Sequence, residues 1–168
     1  MIFFFDCDDT IWGSEDKDYI SSVPSSLTLN SKGNLIREKD NKVFSLRKGV
    51  KKAFENIKKS GGRIGIVSDN RKYMVTGALE KFGLIKFVDK KLVLVKLWKG
   101  YCPKHRMIVE GLAKNNIPRD NMKVFWFDDK DYANEAKEIQ SLFIRVSPST
   151  NFGDLIKDLV DSYKNNGQ

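Results

Sequence analysis

Apolar positions along the chain fall into short runs separated by longer amphipathic stretches. Ile2–Phe5, Arg63–Val67, Lys123–Phe127 and Leu142–Val146 are short, apolar and rich in β-formers. Such runs predict strands buried on both faces of a central sheet. Leu92–Leu97 predicts a further strand, and Phe87–Val88 a short one before it. Between the runs the spacing changes to that of helices. Val50, Ala53, Phe54 and Ile57 repeat at i, i+3, i+4, i+7, as do Val75, Ala78, Leu79 and Phe82. Ile108, Val109, Leu112 and Ala113 make a third stripe, ending before Pro118. Tyr132, Ala133, Ala136 and Ile139 make a fourth; Phe152, Leu155, Ile156 and Leu159 make a fifth, entered through Asn151 as N-cap. Strands alternating with helices of this length predict a parallel α/β sheet.

Residues 13–47 break the alternation. They open with a polar loop containing Ser21, Ser22, Pro24, Ser25 and Ser26. Leu35–Arg37 and Val43–Leu46 then flank a turn-rich E-K-D-N-K, which predicts a β-hairpin. This insert is too small for a second domain, so residues 1–168 read as one domain with a flap. Lys164–Gln168 reads as a frayed tail.

With 40% hydrophobic and 31% charged residues the chain reads as soluble and globular. No apolar run approaches the ~20 residues of a membrane span, and Asp6 to Asp9 interrupt the first run before it resembles a signal peptide. Two cysteines, Cys7 and Cys102, make neither a disulfide framework nor a zinc site, and they suit a reducing cytoplasm. The single histidine, His105, argues against a histidine metal centre or a Ser-His-Asp triad. The net charge of +8 favours anionic partners. The lysines are dispersed, which is also how a solvated surface reads.

The chemistry is concentrated behind three of the strands. D-C-D-D-T follows Ile2–Phe5, Ser68-Asp69-Asn70 follows Ile64–Val67, and Asp128-Asp129, then Asp131, follow Lys123–Phe127. In an open parallel sheet, ligands bind beyond the carboxyl ends of the strands, so the three polar clusters converge at one edge. If strand geometry persists, Asp6 and Asp8 share a side and Cys7 points away. Carboxylate oxygens without histidines suit Mg2+ far better than Zn2+. Not all of Asp6, Asp8, Asp9, Asp128 and Asp129 are needed for one ion.

These residues resemble the motifs of the haloacid dehalogenase superfamily. D-C-D-D-T has the form D-x-D-x-T; Ser68 closes I-G-I-V-S as a second motif; Lys104 in C-P-K-H-R fits a third; F-D-D with Asp128 and Asp129 fits a fourth. The likeness spans roughly residues 1–146. With T-I-W after the first motif and the short insert, it is greatest to the magnesium-dependent phosphatases. The resemblance implies a three-layer Rossmann-like parallel sheet with helices on both faces and a small β-hairpin flap in place of a full cap domain. It implies Asp6 as nucleophile, forming an aspartyl-phosphate, and Asp8 as general acid and then base. Ser68 would hydrogen-bond the phosphoryl group and Lys104 would neutralise its charge. Mg2+ would be held by Asp6, the Asp8 backbone carbonyl and Asp129, with Asp128 beside it.

Around this set, Thr10 is placed to orient Asp8 through its hydroxyl, and Asp69, Asn70 and Arg71 to meet substrate. Trp12 and Tyr19 stand either at the entrance or in flap packing. Plainer readings exist for each: Ser68 and Asp128-Asp129 as helix caps, Lys104 as a solvated lysine with Lys99 as rival, His105 as a surface helix residue, Asp9 as a loop residue. The expected function is phosphomonoester hydrolysis on small phosphometabolites such as phosphosugars, or on phosphotyrosine-like groups of proteins. The alternatives are a polynucleotide-end phosphatase, motivated by the +8 charge, and a phospho-receiver signalling module.

Overall fold

The computed structural model describes residues 1–20, 26–95, 102–119 and 122–165. Ser21, Ser22, Pro24 and Ser25 of the polar loop, the Leu97 end of the Leu92–Leu97 strand, Lys99 and the end of the tail lie outside the described residues.

Five parallel strands form the central sheet: β1 (Ile2–Phe5), β6 (Arg63–Ser68), β7 (Val93–Val95), β8 (Val124–Asp128) and β9 (Leu142–Arg145). Their order is β7-β6-β1-β8-β9. The chain builds outward from β1 through β6 to β7, then crosses back and builds through β8 to β9. The order therefore reverses between β1 and β8, where an open α/β sheet leaves a crevice at its carboxyl edge. Phe5 pairs with both Ile66 and Phe127, so the residues just beyond β1, β6 and β8 emerge side by side.

Period-two alternation sorts each strand's side chains between two layers. Phe3, Phe5, Ile64, Ile66, Phe125 and Phe127 face α1 (Val50–Lys59), α2 (Lys72–Lys81) and α5 (Phe152–Asn165). Ile2, Phe4, Val67, Val124 and Trp126 face α3 (Lys104–Lys114) and α4 (Ala133–Glu138). Rings stack across neighbouring strands, Phe3 on Phe125 at 4.8 Å and Phe5 on Phe127 at 4.6 Å. Such pairs add about 0.5–1.5 kcal/mol each beyond their area.

The hairpin forms as β4 (Leu35–Arg37) and β5 (Lys42–Leu46), and two further short strands join it. β2 (Trp12–Gly13) and β3 (Leu27–Leu29) complete a four-stranded sheet in the order β2-β5-β4-β3. Trp12, Ile20, Leu27, Leu35 and Phe44 belong to the same buried cluster as β1, α1 and α5. The flap is thus an extension of the main core.

Three local expectations are corrected. Phe87–Val88 is not a strand but part of a turn leading to a 3-10 helix at Lys90–Leu92, because Asp89 caps that turn through Lys91 N. In α3 the buried stripe is Met107, Ile108, Gly111 and Leu112, one position off; Ala113 is exposed. Gly111 belongs in the stripe because a Cβ there would lie 2.5 Å from a Leu94 methyl on β7. Ala133 is exposed at the start of α4, a helix of only six residues. Among the described residues no helix is long and apolar enough to cross a membrane.

Gly49 joins the α1 and α5 ends. It has φ +77°, and a Cβ would lie 2.4 Å from the Gly153 nitrogen. Gly49→Ala therefore meets both a left-handed backbone and a backbone clash. We expect a loss of roughly 2–4 kcal/mol of stability, read as a lower urea midpoint.

Candidate active site

Asp6 is the first residue past β1, and its amide donates to the Phe127 carbonyl at 2.9 Å, extending the β1–β8 ladder. Its side chain is nearly buried. Asp128, the last residue of β8, is wholly buried. Lys104 at the start of α3 reaches between them, with Nζ 3.0 Å from Asp6 Oδ1 and 2.8 Å from Asp128 Oδ2. The Tyr132 ring lies 5.4 Å from the same ammonium. Lys104 is itself buried, and two carboxylates and a π face replace the water it has lost.

Burial raises the Asp6 carboxyl well above its usual range, with Asp128 adding to the rise and the Lys104 charge opposing it. Burial likewise raises Asp128. The Lys104 ammonium is driven upward by the two carboxylates, which outweigh its own desolvation. The Tyr132 hydroxyl is pushed up to about 12, mainly by burial.

The chain turns back after Asp6. The Cys7 carbonyl accepts from the amides of Thr10, Ile11 and Trp12, and Asp9 takes a left-handed conformation at φ 58°. This turn presents Asp8 to the cavity and sends Cys7 into the core. Three donors hold the Asp8 carboxylate. Trp12 Nε1 donates to Oδ1 at 2.8 Å, Ile20 N to Oδ1 at 3.0 Å, and Asn70 Nδ2 to Oδ2 at 3.1 Å. Burial raises its pKa, and these three hydrogen bonds oppose the rise. Trp12 is buried and stacks on Phe82 at 5.7 Å. It therefore serves Asp8 from within the flap rather than from the entrance.

The Thr10 hydroxyl makes no hydrogen bond to Asp8. Its hydroxyl accepts from the Asp129 amide at 3.1 Å, which places Asp129 against the D-C-D-D-T turn. Ser68 Oγ accepts from Asn70 N at 3.2 Å at the end of β6. A cavity of about 440 Å³ collects Asp6, Asp8, Ser68, Asp69, Asn70, Lys104 and Asp129. Arg71 is exposed and donates to the Tyr73 hydroxyl at 3.2 Å; it does not line this cavity. Tyr19 stands at the rim with 59% of its surface exposed. His105 is half-buried, with Nε2 3.7 Å from a Glu138 carboxylate oxygen.

Asp9, Lys17 and Lys130 also line the cavity. No feature of spacing separates these lysines from the many on the surface. Tyr132 beneath Lys104 was equally hidden, since its stripe position suggested only core packing.

Asp6, Asp128 and Asp129 each offer a carboxylate oxygen, all within 4.8 Å of one another. An all-oxygen set beside a cavity fits Mg2+, which takes few protein ligands and keeps waters. The Asp8 side chain is not in this set, being held by its three donors.

The flap loop is tied down by charge. Arg37, almost fully buried, contacts Asp18 at 2.6 Å and Asp40 at 2.7 Å, while its Nη1 donates to the Tyr19 carbonyl at 3.3 Å. Lys42 bonds Asp18 at 2.9 Å. These contacts fix residues 18–20, and through Ile20 N they fix Asp8.

Residues 9–146 match the family model described as haloacid dehalogenase-like hydrolase. The match begins at Asp9, so Asp6 and Asp8 lie outside it. No curated protein sequence matches the chain. Among solved structures, the HAD domain of effector protein Lem4 from Legionella pneumophila is similar, with 17% identity and a TM-score of 0.60. The likeness covers 95% of this chain and 93% of that one. An inactive mutant of that domain matches at 16% identity and a TM-score of 0.58, over 95% and 92% of the two chains. At these identities the likeness is one of fold.

Hydrogen bonds from Lys42 and Arg37 hold the Asp18 carboxyl below the usual carboxylate range. A depressed pKa contributes stability that is present above the unfolded value, about 3.9, and is lost as pH falls through the folded value. The protection of the Asp18–Ile20 amides, measured relative to their intrinsic exchange rate, should therefore fall below about pH 4. Asp18→Asn should show the lowered protection already at neutral pH.

Proposed function

The chain belongs to the haloacid dehalogenase-like hydrolase family, and from that premise we propose that it is a Mg2+-dependent phosphomonoester hydrolase working through an aspartyl-phosphate on Asp6. The observation that carries this reading is the opening of Asp6, Asp8, Ser68, Lys104 and Asp129 into one cavity at the carboxyl edge of β1, β6 and β8. A receiver module has no use for a second carboxylate held by three donors beside the phosphorylated one.

In the first half-reaction an Asp6 oxygen attacks phosphorus, and the bond to the leaving oxygen breaks. That oxygen takes a proton from Asp8. In the second, Asp8 removes a proton from water, which attacks the phosphoryl group on Asp6 and releases phosphate and the free carboxylate. Splitting the displacement in this way replaces one difficult step by two easier ones. Lys104 Nζ and Ser68 Oγ bind phosphoryl oxygens and stabilise their charge. Asp6, Asp128 and Asp129 would hold Mg2+, which would supply the charge compensation that lets an anionic nucleophile approach an anionic ester. Trp12, Ile20 and Asn70 keep Asp8 aimed at the leaving group. The open rim with Tyr19 admits small phosphometabolites and aryl phosphates such as phosphotyrosine.

Two measurements test this. Hydrolysis of an aryl phosphate should require both Mg2+ and Asp6, and Asp6→Asn should abolish it; equal turnover by Asp6→Asn rejects the nucleophile. Asp8→Asn should lower kcat by about 10²–10⁴-fold, the usual contribution of a positioned acid or base. Separately, Mg2+ at ten times its Kd should stabilise the wild type by about 1.4 kcal/mol. Asp129→Ala should remove that gain in a thermal melt.

A further inference from the structure

A second cavity, of about 410 Å³, adjoins the first and shares Asp9, Lys17 and Asp129 with it. Its remaining polar lining is Arg47, Arg145 and Ser147. Nothing in the proposed hydrolysis uses these groups. Their charge is nonetheless one-sided. Lys17, Arg47 and Arg145 there face Asp9 and Asp129. With Asp129 engaged by a metal ion, as proposed above, the surplus of two positive charges would match a phosphate dianion in magnitude.

Arg47 is set in place. It leaves β5 at the flap's root, its amide donating to the Ile11 carbonyl at 3.0 Å, and its guanidinium reaches Asp9 Oδ1 at 3.1 Å. Gly13 on β2 makes the room. A Cβ at residue 13 would lie 2.4 Å from Arg47 Nη2 and 3.0 Å from Asp9 Oδ1. The Asp9 bond leaves the fork unsaturated: Arg47 Nε is buried without an acceptor among the described residues, while the side chain as a whole keeps some exposure. Arg145, exposed at the end of β9, donates through Nε to the Asp129 carbonyl at 3.3 Å. Two guanidinium groups from different sheets thus meet at one cavity, and guanidinium forks suit phosphate oxygens. Lys17 stands at the junction with the reaction cavity in a left-handed conformation, φ 57°, a costly backbone state for a lysine.

We propose that this second cavity is a subsite for a second phosphate group of the substrate, held by Arg47, Arg145 and Lys17. The favoured substrate class is then a doubly phosphorylated molecule, whose first phosphate is hydrolysed at Asp6 while the second anchors in the adjoining cavity. This inference rests on the hydrolase reading for its catalytic half. The anchoring half concerns binding alone.

The experiment has two arms. In the first, kcat/KM is measured for linear α,ω-alkane bisphosphates of increasing length and for the matching alkyl monophosphates. Wild type should prefer the best bisphosphate by at least about tenfold, as one or two charge-assisted bonds imply. Arg145→Gln should bring that ratio towards one, and Arg145→Lys should restore part of it. A wild-type ratio of one, or a ratio that Arg145→Gln leaves intact, overturns the subsite. In the second arm, calorimetry with the non-hydrolysable α,ω-bisphosphonates and monophosphonates is run on the Mg2+-loaded protein. Tighter binding of bisphosphonates that disappears in Arg145→Gln supports the subsite even where no ester is turned over, an outcome that would sink the hydrolase reading by itself. Equal binding of the two ligand sets overturns the subsite while leaving hydrolysis untouched.

Discussion

Lys104 bridges Asp6 and Asp128, and the site depends on that bridge. Neighbouring parallel strands lie about 4.8 Å apart, so consecutive ends of β1 and β8 force two carboxylates together in a buried place. Without a cation between them they would repel and lose hydration at once. The ammonium at 3.0 and 2.8 Å makes the arrangement tolerable, and the Tyr132 ring covers it. A polar core of this kind is weakly stabilising at best. The apolar layers around it supply the stability: stacked phenylalanines run from β1 to β8 on one face, and Trp126 packs on Tyr132 on the other. Tyr132 thereby links the hydrophobic layer to the charged one.

The flap contributes through Asp8 rather than as a separate unit. Trp12 and Ile20 lie in the main core cluster, and each also donates to Asp8 Oδ1. Packing and hydrogen bonding therefore set the same atom. Arg37 extends this control outward, because its bonds to Asp18 and the Tyr19 carbonyl hold the segment that carries Ile20. A flap held by buried charge and by the core can keep the Asp8 carboxylate aimed without closing the cavity.

The convergence at the sheet edge was legible because each apolar run ends abruptly in acidic or hydroxyl residues, and parallel pairing brings such ends together. The haloacid dehalogenase likeness read from those residues agrees with the family match over 9–146 and with the sheet order. The missed parts have physical reasons. β2 and β3 are two and three residues long, too short for a period to show. Thr10 looked like a partner of Asp8, but the turn on the Cys7 carbonyl rotates it toward Asp129. The Arg47–Asp9 pair spans 38 residues, and only the space left at Gly13 admits it. The places of Lys17 and Lys130 in the cavity lining depend on tertiary placement, which composition cannot separate from surface charge.

The proposed reaction asks two similar carboxylates for opposite behaviour. Asp6 must be ionised to attack, and Asp8 must carry a proton to the leaving group. Burial raises both, so burial alone cannot distinguish them. Their partners can. Asp6 touches an ammonium and offers an oxygen to the three-carboxylate cluster, so a cation held there opposes the effect of burial directly. The donors to Asp8 are an indole, a backbone amide and a carboxamide, all neutral. They aim the group without supplying a full charge to hold it ionised. Environments that push paired carboxylates apart assign acid and nucleophile. In the proposed reaction that division rests on Lys104, whose ammonium touches Asp6, whereas only neutral donors touch Asp8.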